Sequence, residues 1–244
     1  MRRSPDFPVV SPVIWGSDMK KTVILACPTL LDEVKKCVRD TNCPYDICFL
    51  EENNHNFPNK LRMNLQTAID GLQDYDRILL TFGLCGNATL GLVSPHAELV
   101  IPKVDDCISL LMGGAAERIS SLDGKFGIFL TAGWFRYEEG IWGEMQHALR
   151  RYGENRAGKI LARMYENLTY LTVLDTGAYD LQELLPKAAH LAAALHLKLR
   201  VLPGNLRLLH ALLEQDDAAE HFAHIPAGTP VSAAMVPVDF HSLQ

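Results

Sequence analysis

A chain of 244 residues, 48% hydrophobic and 21% charged, has material for one large domain or two small ones. Its formal charge of −6 argues against broad nucleic-acid binding, which needs cationic surface to displace counterions. No apolar stretch approaches the roughly 20 residues that cross a bilayer, so no membrane partner is expected.

The first 18 residues carry a basic start broken by prolines and read as an extraneous tail, with Met19 as the candidate start. A cytoplasmic protein is the simplest expectation. Lys21–Ala26 reads as a first buried strand, followed by a helix from Thr29 with Asp32 and Glu33 placed to complement its dipole. Tyr45–Leu50 reads as a second strand, and Pro58 opens a helix whose Leu61, Leu65, Ala68, Ile69 and Leu72 recur at helical spacing. Arg77–Phe82 and Leu99–Ile101 are the third and fourth strands. Short helices are expected from Cys107 and over Ala115–Leu122. The pattern continues with strand Phe126–Leu130, helices over Tyr137–Tyr152 and Asn155–Glu166, and strand Tyr170–Leu174. It ends with helix Leu181–Leu195, strand Leu197–Leu202 and a helix over Leu206–Gln215. Residues 229–244 show no pattern and read as a C-terminal tail. The alternation implies an α/β domain over 19–228, with a mostly parallel sheet, helices on both faces, and possible division into two α/β lobes near 115–160.

In such sheets ligands bind beyond the carboxyl ends of the strands. Cys27, Cys85 and Cys107 each follow an apolar run and fall at such an end. With a strand order of 2-1-3-4-5, strands one, three and four are neighbours, and adjacent strands lie roughly 4.8 Å apart. Three thiols can then converge within about 10 Å. Thiolates select zinc, Cu(I) or iron–sulfur clusters. An iron–sulfur cluster (4Fe-4S) held by three cysteines keeps one iron open to a small-molecule substrate. Zinc, with three thiolates and an open position or with His55 or His96 as a fourth ligand, is the alternative; a catalytic thiol without metal and plain packing at strand ends are the others. Cys37, Cys43 and Cys48 read as core residues.

Around that site, Gly83, Gly86 and Asn87 form a glycine-bearing turn of the kind that exposes backbone amides to an anion or cofactor. Asp105 and Asp106 are placed to act as acid and base or to cap the following helix, and His55 follows strand two on the same edge. Trp134 and Tyr137 follow strand five and can wall a pocket or cover a planar ligand. Asp175 and Thr176 reach the same rim after strand six, and Arg136 is the nearest cation for a carboxylate or phosphate.

The motifs Gly83-Leu-Cys-Gly-Asn87 and Val104-Asp-Asp-Cys-Ile-Ser109 resemble the family known as domain of unknown function 1638. His55-Asn-Phe-Pro58, Thr131-Ala-Gly-Trp134 and Leu174-Asp-Thr-Gly177 are similar to further landmarks of that family, whereas Ile225-Pro-Ala-Gly228 departs from its Pro-Pro-Gly. The resemblance spans about Met19 to Gly228 and implies no particular reaction. Members are common in anaerobic bacteria and archaea, which favours oxygen-sensitive metal chemistry by analogy. The expectation is a metal- or cluster-bearing enzyme with lyase or desulfurase-like chemistry. The alternatives are an accessory protein holding a metal or corrinoid-type cofactor for a partner methyltransferase, and a zinc- or thiol-dependent enzyme.

Overall fold

The computed structural model describes residues 20–50, 57–136, 140–215 and 220–238. Strand β1 (Thr22–Ala26) is buried along its whole length because it is flanked by β2 (Asp46–Phe49) and β3 (Arg77–Leu80). β4 (Glu98–Pro102) joins β3 in parallel, with Ile78 opposite Leu99. Between these strands run α1 (Leu31–Thr41) and α2 (Pro58–Asp70). The chain steps from β1 outward to β2, then back across β1 to β3. Right-handed crossovers therefore send α1 and α2 to opposite faces. Asn42, in the left-handed region at φ 49°, ends α1, and Pro58 at the first turn of α2 gives up an amide that would have no helical partner.

After β4 come α3 (Cys107–Leu110) and α4 (Ala115–Ser121), and then the chain enters a second sheet. β5 (Gly127–Leu130), β6 (Tyr170–Asp175) and β7 (Lys198–Pro203) are parallel and follow one another in spatial order. Successive right-handed steps in one direction place α5 (Ile141–Tyr152), α6 (Glu154–Met164) and α7 (Leu181–Ala194) on one face. Leu130, Leu171 and Val173 pack there, against Met145, Leu161 and Leu191. The alternate residues Phe129 and Leu174 point the other way and join the core of the first sheet. The chain then returns to the first lobe through α8 (Arg207–Glu214) and β8 (Phe222–Ile225).

The fold is thus α/β and mostly parallel, in two sheets, with the order β2-β1-β3-β4-β8 in the first. The strand missing from the sequence reading is β8, which pairs antiparallel with β4. At four residues it is too short for alternation to stand out. The expected C-terminal tail also needs correcting over its described part. Val231 and Val236 are buried in the first lobe's core, and Val231 exchanges backbone hydrogen bonds with Gly91 and Leu92. Cys48 is half-buried, not enclosed, because β2 is an edge strand.

Candidate functional site

The carboxyl ends of both sheets meet along one seam. Beyond β1 the chain turns through a short 3-10 segment, Pro28–Leu30, and beyond β5 through another, Ala132–Phe135. These two segments touch backbone to backbone: a Cβ on Gly133 would stand 1.9 Å from the Thr29 carbonyl oxygen. Thr176, just past β6, donates its hydroxyl to Glu33 of α1 at 3.0 Å. Asn205, just past β7, donates its amide to the Leu111 carbonyl at the end of α3 at 2.6 Å.

Cys27, Cys85 and Cys107 lie on the first-lobe side of this seam, beyond the neighbouring strands β1, β3 and β4. None forms a disulfide. Cys27 and Cys107 are buried and Cys85 is half-buried. The Thr29 hydroxyl lies 3.0 Å from the Cys27 sulfur, and Thr29 also acts on the Cys107 thiol, lowering it by less than burial raises it. All three interact electrostatically with one another. Burial pushes the Cys27 thiol up to about 11 and raises Cys85 and Cys107 well above the ordinary value. Asp106 adds to the rise at both of the latter. Reactive cysteines occupy electropositive surroundings, and this rim is the reverse.

Cys85 itself sits at φ +46°, with Gly86 at +66° and Asn87 at +69°. Three consecutive left-handed residues, two of them not glycine, are a rare and costly arrangement that the surroundings must enforce. The enforcement comes from the strand-like run beside it. Leu84 and Cys85 donate to the carbonyls of Val104 and Asp105 at 2.9 and 2.7 Å. Gly83 permits that approach, since a Cβ there would lie 2.3 Å from the Val104 oxygen. Much of this turn's backbone is thus engaged within the protein. The amides of Leu84, Cys85 and Ala88 are spent on backbone carbonyls, and Asn87 offers its carbonyl to Arg62 at 2.8 Å. Gly86 lies against Pro58 at the start of α2.

Asp106 caps α3, accepting from the amides of Ile108 and Ser109 at 2.9 and 3.1 Å. Arg118 of α4 holds both acids, at 2.6 Å from Asp106 and 3.1 Å from Asp105. Replacing Asp106 by alanine is expected to lower stability by about 1–2 kcal/mol in urea unfolding, with Asp106→Asn recovering most of it because an amide oxygen still caps.

Trp134 is half-buried and packs against both lobes' cores, so it walls the seam. Arg136 is committed to Asp32 at 2.5 Å. His96 precedes β4 and is therefore on the opposite edge of the sheet, which removes it as a fourth ligand. His55 and Tyr137 lie outside the described residues.

Among the described residues, no group of three or more His, Cys, Asp or Glu side chains is set to hold a metal ion. Thiolates on one zinc, at about 2.3 Å each, must stand roughly 4 Å apart. In a cluster each cysteine binds a different iron, so its donors are spread more widely. Three thiols without a fourth match the donor chemistry of a cluster with one open iron.

The residue that sequence reasoning passed over is Glu33. It was placed only as a favourable charge in the first turn of α1, yet its side chain is fully enclosed. Burial pushes its carboxyl up to about 7. Its Oε2 has no hydrogen-bond partner among the described residues. The available signal was its place six residues after Cys27, on a strand-end helix.

A family model for a protein of unknown function, DUF1638, matches residues 49–213. That span contains Cys85 and Cys107 but not Cys27, and is shorter than the resemblance read from the motifs. No curated protein and no solved structure matches the chain.

Proposed function

The chain belongs to the DUF1638 family, and we propose that Cys27, Cys85 and Cys107 hold an iron–sulfur cluster with one open iron, at which a small molecule is transformed. The observation that carries this reading is the placement of three thiols beyond three adjacent parallel strands, each acting electrostatically on the others. When bound, such a cluster supplies a Lewis-acidic iron, suited to elimination, hydration or desulfurisation. The chain's own part is to hold the thiols on rigid strand ends, to fix the strained Cys85 turn against Val104 and Asp105, and to bring Trp134 and the second lobe over the rim. The raised thiol values speak against a free nucleophilic cysteine.

The test is elemental analysis with an optical spectrum on protein prepared without oxygen. Iron and sulfide at about four each per chain are expected. Alanine at Cys27, Cys85 or Cys107 removes most of both, while alanine at Cys37 or Cys43 leaves them in place. Colourless protein after anaerobic reconstitution, or iron indifferent to all three substitutions, ends the proposal.

A further inference from the structure

Five consecutive residues, Thr29 to Glu33, form the first lobe's side of the seam. Thr29 meets Gly133 backbone to backbone, Asp32 pairs with Arg136, and Glu33 accepts from Thr176. The same Thr29 hydroxyl lies 3.0 Å from the Cys27 sulfur. Movement of the lobes therefore bears on the turn that carries a rim thiol.

One of these three contacts is chemically unlike the other two. The Asp32–Arg136 pair reaches solvent, and its Arg136 side chain is 39% exposed. Glu33 shows no exposure at all, and Thr176 only 7%. Glu33 Oε2 and Thr131 Oγ1, one from each lobe, are both enclosed without a hydrogen-bond partner among the described residues. The Thr176 hydroxyl by itself favours the charged carboxylate, but burial outweighs it, so enclosure favours the neutral acid. The titratable and charged groups that act on Glu33 do not change this balance. Asp32 on its own helix raises its pKa, and Arg136 from beyond β5 lowers it, each by less than burial raises it. Cys27 beyond β1, Cys37 on α1 and Tyr179 beyond β6 are themselves held neutral by burial. Asp175 at the end of β6 acts on the neighbouring Tyr179 and is turned to the Gly177 amide at 3.1 Å.

We propose that the enclosure of Glu33 in the seam is a proton-operated latch between the lobes, closed while the carboxyl is neutral and released when it ionises, so that protonation controls access to the thiol rim. The latch concerns access alone and does not depend on what the rim carries. In the open seam the carboxyl has the ordinary value for glutamate, and in the closed seam a value near 7. The opening equilibrium then rises about tenfold per pH unit between those two values and levels off above the second. Low pH closes the seam and neutral pH loosens it.

The experiment is amide hydrogen exchange of the full chain, read in peptides covering residues 28–36, 131–136 and 174–179 and corrected for the intrinsic pH dependence of exchange. Protection in these peptides is expected to fall about fortyfold from pH 5 to pH 7 and only about twofold more from pH 7 to pH 8. Peptides from β6 and β1 serve as the internal reference. Glu33→Gln, neutral at every pH, is expected to hold the seam protected throughout. Thr176→Val is expected to lower protection at pH 5, where the latch is otherwise closed. Seam protection in the unsubstituted protein that does not respond to pH overturns the proposal, and so does a Glu33→Gln protein that loses protection with pH as the unsubstituted protein does. If Glu33→Gln fails to fold, the unsubstituted titration and Thr176→Val still decide. The cluster reading fails or stands separately on iron content.

Discussion

Glu33→Gln is expected to make the protein more stable than its parent at pH 8, by up to about 3 kcal/mol, while leaving it unchanged near pH 4.5. The sign follows from the direction of the shift. Burial raises the folded-state value from an ordinary 4.5 to about 7. Below the lower value the acid is neutral both folded and unfolded, and the fold suffers nothing. As pH rises from there to about 7, the unfolded chain ionises freely while the folded chain must either keep its proton or enclose a charge. Stability is lost across that window and the loss is complete above it. Glutamine, with nearly the same shape, still accepts from Thr176 and never incurs the loss. Paired urea titrations of parent and variant from pH 4.5 to pH 8 measure the difference directly, since every other titrating group is common to both. A difference that stays at zero across the series would mean that the carboxyl ionises at its usual value despite its enclosure.

Glu33 also marks where sequence reasoning stops. The strands announced themselves because each is a short apolar run bounded by Gly, Pro or Asp, and β1, β3 and β4 ended within two residues of where they were expected. The adjacency of those strands was conditional on a strand order that the first sheet adopts through its fourth strand. What periodicity does not carry is the relation between sheets. Phe129 and Leu130 are equally apolar, yet they serve different cores, one on each face of β5. The enclosure of Glu33 is produced by Thr176 and Arg136, more than a hundred residues away, and a charged residue in the first turn of a helix reads as a dipole partner until that lobe is in place. Asp105 and Asp106 illustrate the converse. Their position before a short helix was enough to suggest capping, and Asp106 does cap, but their shared partner Arg118 comes from the next helix. Gly83 and Gly86 read as one turn, but each is required for its own reason: Gly83 admits the Val104 carbonyl, and Gly86 supplies a left-handed turn residue.

The same close approaches predict that alanine at Gly133 lowers stability by about 3 kcal/mol or more, at the upper end of overpacking penalties. A Cβ there meets only backbone: the Thr29 oxygen at 1.9 Å, its carbonyl carbon at 2.6 Å and its Cα at 2.8 Å. No rotamer change relieves backbone contacts, so one of the two 3-10 turns has to withdraw. Gly83→Ala raises a comparable clash with the Val104 carbonyl, but inside the first lobe. The two substitutions thus separate seam from rim. Gly133→Ala is expected to lower exchange protection over residues 28–36 and 131–136, with the Cys85 turn kept in place by its bonds to Val104 and Asp105. Gly83→Ala is expected to break those bonds and free the Cys85 turn from its left-handed geometry, with the seam peptides retained. A Gly133→Ala protein with the parent's urea midpoint would show that the lobes are not pressed together at Thr29. The route from lobe closure to the Thr29 hydroxyl, and from that hydroxyl to Cys27, would then be lost as well.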